Sequence, residues 1–323
     1  MLIRLAITAI ILAILAMGID MGASARAMAA IDLRYLVLVL GLVAIDRAVM
    51  ILRWVLLLRA SGIAITTRDA ARLFLVSSFV GSFLPAGVGG DAARAYGLSR
   101  APAVLDPQVP RPKTQDPRPK TQVPASEALA SVAVDRILGV FSIVVMSLVG
   151  VIAWAPARED WRIAAAILSL TLASSALFWA GDWLRWAIPG AHHDHAIARR
   201  MLRLSDAVGR YRGRTSVLAH VMAWSLVVQL LRITQAYFLG LGLGLTVPYS
   251  YYLLFMPLGL LMLLLPISIS GFGVPQGVIV WLLRPVGVAD TQSFALSTLI
   301  VLTGLAGNIP GLWLWLRQRR EIL

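Results

Sequence analysis

The stretch FLVSSFVGSFLPAGVGGDAARAYGLSR, residues 74–100, decides how this chain folds. Its apolar run of 11–14 residues closes on Leu84-Pro85 and then on Gly87, Gly89 and Gly90. Crossing a ~30 Å hydrocarbon core takes about 20 apolar residues as a helix, so this run is too short. It reads as a re-entrant segment that enters from the cytoplasm and returns. Asp91 then stands where it can cap a helix over residues 92–98, with Arg94 on the first turn. A second stretch, LLPISISGFGVPQGVIVWLL at 264–283, has the same grammar. Leu265-Pro266 leads into small residues, then Gly271 and Gly273, then the polar Gln276. The two segments look like corresponding parts of an internal repeat. Paired Gly/Pro-interrupted apolar segments point to the central site of a transporter. Main-chain groups freed in hydrocarbon cost several kcal/mol each unless they line a wet cavity or touch a ligand, and glycine lets a ligand approach the backbone closely. Either break alone is equally a helix kink packed against its neighbours; the pair favours a cavity.

Around these segments the chain has the composition of a membrane protein. Of its 323 residues 59% are hydrophobic and 14% charged, with a mean hydropathy of +0.80. Soluble domains lie nearer 45–50% apolar and about 25% charged, which excludes a cytosolic enzyme or a disordered adaptor. Apolar runs predict helices near 3–19, 34–58, 127–155, 162–180, 216–243, 249–266 and 293–316, with a shorter one at 272–283. The expected fold is an all-α polytopic bundle of about seven or eight transmembrane helices with two broken or re-entrant segments, a single domain over 1–323. There are no cysteines, so disulfides, thiolate metal sites and cysteine nucleophiles are excluded.

The net charge of +13 comes mostly from arginines between the spans. They cluster in 59–126, in 182–215 and after Arg317, while 244–250 has none. This is the positive-inside pattern, not a nucleic-acid surface, and it predicts both large loops and both termini in the cytoplasm of a multi-pass inner-membrane protein. Residues 1–25 also read as a signal peptide ending in Ala23-Ser24-Ala25, but the long apolar run favours a retained helix. PRPKTQD at 110–116 is repeated as PRPKTQV at 117–123, so 101–126 is expected to be a disordered cytoplasmic insertion. The stretch 194–214 reads as a basic surface helix that anchors topology.

Charges inside apolar spans are the candidate site. Asp46 and Arg47 lie mid-way along the second helix, and Arg53 lies near enough to its cytoplasmic end to snorkel. The fifteen Leu, Val and Ile residues of 36–58 favour insertion by about 5–9 kcal/mol, and three central charges oppose it by about 2.5–3.5 kcal/mol each. The sums nearly cancel, so Asp46 and Arg47 cannot face lipid. Asp135 and Arg136 enter the third helix by about two turns, and Arg232 lies mid-way along the fifth between Gln229 and Gln235. Intramembrane charges mark function by default, with structural ion pairing as the competing role. Arginines outnumber aspartates among them, which suits an anionic group such as phosphate. No P-loop, HExxH, GxSxG or aspartate-rich magnesium motif is present, and His192-His193-Asp194-His195 reads as a solvated turn. No cofactor or metal is expected.

At SSFVGSFLPAGVGGDAARAYGLSR (77–100), AVDRILG (133–139) and LPISISGFGVPQG (265–277) the chain resembles the flippase-like membrane family. That family includes the flippase half of lysylphosphatidylglycerol synthases, YbhN-type proteins and hopanoid-associated members. The resemblance spans about residues 1–320 and implies movement of a lipid between leaflets. It places the family's proline-glycine-aspartate motif on Pro85, Gly89, Gly90, Asp91 and Arg94, with Gly87 beside it. Its acid-arginine pair falls on Asp135 and Arg136, its fifth-helix arginine on Arg232, and its glycine turn on Gly271 and Gly273. Gln276 stands where the family usually has glutamate, and the 101–126 insertion is longer than typical. No soluble aminoacyl-transferase domain follows Leu323, so synthesis of the lipid is not expected. The expected partner is a phospholipid or polyprenyl-linked lipid. A membrane-embedded enzyme acting on lipid phosphates, with Asp91 or Asp135 as acid or base, and a non-catalytic partner of a lipid-biosynthetic enzyme such as a hopanoid enzyme are the alternatives.

Overall fold

The computed structural model describes residues 18–83, 88–101, 104–105, 123–154, 208–209, 211, 213–263 and 273–320. The helix expected at 162–180, nearly all of those at 3–19 and 194–214, the histidine turn at 192–195, and Pro85, Gly87, Pro266 and Gly271 lie outside these residues. A short helix α1, Met21–Ala29, is capped by Asp20, whose carboxylate accepts from the Ala23 N–H at 2.8 Å. The long helix α2, Leu33–Ala60, follows, capped by Asp32 in the same way. Its 28 residues extend for about 42 Å. Helices α5, Ala125–Ala153, and α6, Thr215–Gly242, are as long (α3 and α4 are given below). Together with the stretch Asp290–Arg317 they make four spans, among the described residues, long and apolar enough to cross a membrane.

Contacts sort the helix ends into two groups. The Asp32 N–H donates to the Gly242 carbonyl at 3.1 Å, and the Ser24 hydroxyl donates to Thr291 at 3.1 Å. Trp154 packs edge-on against Tyr251 at 5.0 Å, which brings the end of α5 to this same end of the bundle. At the other end, Ile63–Ala64 (β1) and Val104–Leu105 (β2) pair antiparallel. Tyr211 is buried there against Leu57, Ala60 and Ala130.

From each end a helical hairpin reaches inward. The first joins α3, Thr67–Phe83, to α4, Val88–Arg100. Thr66 caps α3: its hydroxyl accepts from the Asp69 N–H and donates to the Asp69 carboxylate. The two helices touch backbone to backbone near the tip, where a Cβ on Gly81 would lie 2.7 Å from the Gly90 Cα. Farther down, a Cβ on Gly97 would lie 2.9 Å from Leu73. The β1–β2 pair closes the open end, so the chain leaves where it entered. The second hairpin pairs α7, Tyr249–Leu263, with α8, Val274–Leu283. The Tyr251 hydroxyl donates to the Leu282 carbonyl near its open end, and Gly259 faces Ile279 nearer its tip. With 15 and 10 residues, α7 and α8 are each too short to span a bilayer.

Three local expectations are corrected. Helix α4 starts at Val88, so Asp91 stands in its first turn and does not cap it. The run at 293–316 divides at Gly307–Asn308 into α9, Asp290–Ala306, and α10, Ile309–Arg320. Pro310 has no N–H to continue the helical ladder, and α10 instead packs on α3 so closely that a Cβ on Gly311 would meet the Leu75 carbonyl. Finally, the ends of the 101–126 insertion are ordered: 104–105 form β2, Val123 is buried, and α5 begins at Ala125. Val104 and Leu105 are apolar and find a strand partner; the duplicated polar heptads lie outside the described residues.

Candidate functional site

Helices α3 and α4, Leu260 of α7, Asn308 and the three long helices α2, α5 and α6 line a cavity of about 360 Å³. Four of the helices contribute charge. From α2 come Arg47 and Arg53; from α4, Asp91 and Arg94; from α5, Asp135 and Arg136; from α6, Arg232. Asp46 stands behind the wall, buried between two of these arginines. Gly90 lies on the wall next to Asp91. Sequence positions as distant as 46 and 232 thus meet in one place.

The charges form two groups. In the first, Asp135 is shared by Arg53 at 2.8 Å and Arg94 at 3.1 Å. Arg94 also reaches Asp91 at 3.3 Å, and Asp91 takes Arg136 through Nε at 2.5 Å and Nη2 at 3.2 Å. Arg94 is further fixed between the rings of Trp54 and Phe74, at 5.2 and 5.3 Å from their centroids. In the second group Asp46 holds Arg47 at 3.0 Å and Arg232 at 3.4 Å. Arg47 also donates to the Gly304 carbonyl at 3.1 Å, in the last turn of α9. A cation at a helix C-terminus meets the negative end of the dipole. The α9–α10 break thus provides a site for Arg47.

Accessibility separates the arginines. The side chains of Arg53 and Arg94 are each 5% exposed, locked under Asp135. Those of Arg136, Arg232 and Arg47 are 49%, 27% and 18% exposed. The second set stays accessible; the first is buried beside Asp135. Ionised side chains in such a setting are costly unless paired, and each aspartate here serves two guanidinium groups.

Arg53 departs from its expected snorkelling role. It is buried, with Ser225 accepting from its Nη1 at 2.9 Å and Asp135 beside it. Packing of α4, α5 and α6 around the end of α2 places it under protein, where its nearest countercharge lies inward. Gln276 also lies apart: it is fully buried, is not among the residues lining the cavity, and accepts from the Gly273 N–H at 2.6 Å. That bond caps α8, whose preceding Gly273 takes φ +95°, a conformation that favours glycine. Gly89 lies one residue before Gly90 in the first turn of α4.

Sequence reasoning missed Asn308, which lines the cavity and donates to Ser82 at the first hairpin tip at 2.8 Å. It also passed over Gln229 as a link to α5, where Gln229 donates to Ser142 at 3.1 Å. Pro310, two residues after Asn308, was the available signal for the first. Among the described residues no group of three or more His, Asp or Glu is placed to hold a metal.

The model of a family described as the lysylphosphatidylglycerol synthase TM region matches residues 1–311. No curated protein matches the chain.

Proposed function

The chain belongs to the lysylphosphatidylglycerol synthase TM-region family, and from that premise we propose that it moves an anionic lipid headgroup between leaflets through the cavity described above. One observation carries the reading: eight ionised side chains from four helices converge on one cavity, and three arginines among them stay accessible. The headgroup meets Arg47, Arg136 and Arg232 while its tails remain in lipid. Asp46 and Asp91 hold these cations in place and give way to the passing anion in part. Asp135 and Arg94 fix the first hairpin to α5.

The two hairpins enter from opposite ends, which supports an inverted internal repeat with one broken segment facing each side. The β1–β2 end carries Arg59, Arg68, Arg72, Arg100 and Arg317 and would face the cytoplasm of a bacterial inner membrane. Outward movement of an anion would then gain about 2.3 kcal/mol per charge per 100 mV. The family's description refers to a lipid whose lysyl group makes its head cationic. Here arginines exceed aspartates around the cavity, which favours an anion for this chain.

The test is translocation of a fluorescent anionic lipid in proteoliposomes. Arg232→Ala and Arg136→Ala should each slow it markedly while the purified protein stays monodisperse. Wild-type rates in both variants would contradict the reading. Turnover of the lipid by the detergent-solubilised protein, without transbilayer movement, would favour an enzyme.

A further inference from the structure

Resting on the transport reading above, we infer that this cavity selects a phosphate group able to carry two negative charges, a phosphate monoester or diphosphate, over a phosphodiester. Charge balance is the first argument. Around the cavity five arginines (47, 53, 94, 136 and 232) face three aspartates (46, 91 and 135), which leaves two positive charges uncompensated among the described residues. In a partly enclosed, low-dielectric site this excess is costly until an anion enters. A phosphodiester brings one charge and leaves the cavity positive. A phosphate monoester brings close to two at neutral pH and balances it.

The donor inventory is the second argument. Several neutral polar groups on the wall bond to the protein: Ser77 donates to Phe74, Ser82 donates to Ser78 and accepts from Asn308, and Gln229 donates to Ser142; Gln229 Oε1 and Asn308 Oδ1 are left as acceptors, which an anion does not use. The donors left are the guanidinium N–H groups and the Ser78 hydroxyl, and Arg47 Nε is buried with no hydrogen-bond partner among the described residues. Donors of that kind reward terminal phosphate oxygens. A monoester presents three such oxygens, a diester two. A cationic head is repelled by the net positive charge.

The experiment measures binding to the full chain in phosphatidylcholine nanodiscs. The probes are short-chain phosphatidic acid, short-chain phosphatidylglycerol with the same tails, and inorganic phosphate. Phosphatidic acid should bind about tenfold tighter than phosphatidylglycerol, the worth of roughly one added charge-assisted hydrogen bond. Arg136→Gln and Arg232→Gln should each shrink that preference to about threefold or less. Both variants keep a partner for their aspartate, because Arg94 still serves Asp91 and Arg47 still serves Asp46. Arg136→Lys should retain part of the preference, and Ile152→Ala, on the outer face of α5, all of it. Equal or tighter binding of phosphatidylglycerol would overturn the inference, as would a preference unchanged in both Arg→Gln variants. Inorganic phosphate binding as tightly as phosphatidic acid would uphold the chemistry and assign the group to a soluble anion; weaker binding assigns it to a lipid. Lipid translocation without a monoester preference would defeat this inference alone. A preference without translocation would defeat the transport reading alone.

Discussion

The two hairpins share a sequence grammar and differ in what holds them. The α3–α4 hairpin is tied by charge: Arg94 and Asp91 join it to Asp135 and Arg136, and the β1–β2 pair closes its base. The α7–α8 hairpin has no charge to use, since no Asp, Glu, Lys or Arg occurs between Arg232 and Arg284. It is held by aromatic packing, with Tyr252 and Phe255 buried beside Tyr237 and Tyr249. Its second helix α8 is capped from within by Gln276. A Leu-Pro break with glycines therefore specifies a turn in the bundle, not the chemistry at the turn. On the transport reading the ionic hairpin answers the anion, while the aromatic one contributes only Leu260 to the cavity wall among the described residues.

That contrast predicts where each hairpin breaks. The largest effect should come from Asp135→Asn, which leaves Arg53 and Arg94 buried beside each other without their shared carboxylate. Losing one partner of a buried pair costs about 3–5 kcal/mol, so the thermal midpoint of the purified protein should fall sharply, with Asp135→Glu intermediate. Next come the close backbone approaches. Gly150→Ala drives a methyl into the Leu253–Leu254 backbone of α7, and Gly81→Ala into Gly90 of α4. Each should cost about 1–3 kcal/mol, but only the second should change headgroup binding. Asp91→Asn should cost about 1 kcal/mol, because its pair with Arg136 is partly open to solvent and Arg94 keeps Asp135 as a partner. Its destabilisation should shrink in high salt, which would leave the aromatic hairpin untouched. Smallest is Gln276→Ala, which removes one cap at about 1 kcal/mol or less. It should lower thermal stability slightly and leave lipid binding unchanged; a large loss of binding would place Gln276 in the site.

The sequence exposed what hydrocarbon forbids. Asp46, Arg47, Asp135, Arg136 and Arg232 stood out because a lone charge inside an apolar run must have an unseen partner. The Leu-Pro and glycine breaks were legible for the same reason. Arg53 was misread because distance from the end of a helix does not report depth beneath neighbouring segments. The α9–α10 break was hidden because its residues are apolar on both sides, and only Pro310 hinted at it. The pairing itself, Asp135 with Arg53 and Arg94 or Asp46 with Arg232, required the tertiary fold. Residue type sets which charges need partners; packing selects them.

The natural absence of cysteine permits a direct test of the shared cavity. A single cysteine is placed at Ser78, on the cavity wall, or at Ile152, exposed on the outside of α5. Each protein is reconstituted and treated with a water-soluble, negatively charged thiol reagent, and lipid translocation is followed. The account predicts that Ser78→Cys reacts and that translocation then stops, while Ile152→Cys keeps its rate after the same treatment. Full translocation after complete modification of Ser78→Cys, or no reaction there at all, would contradict it.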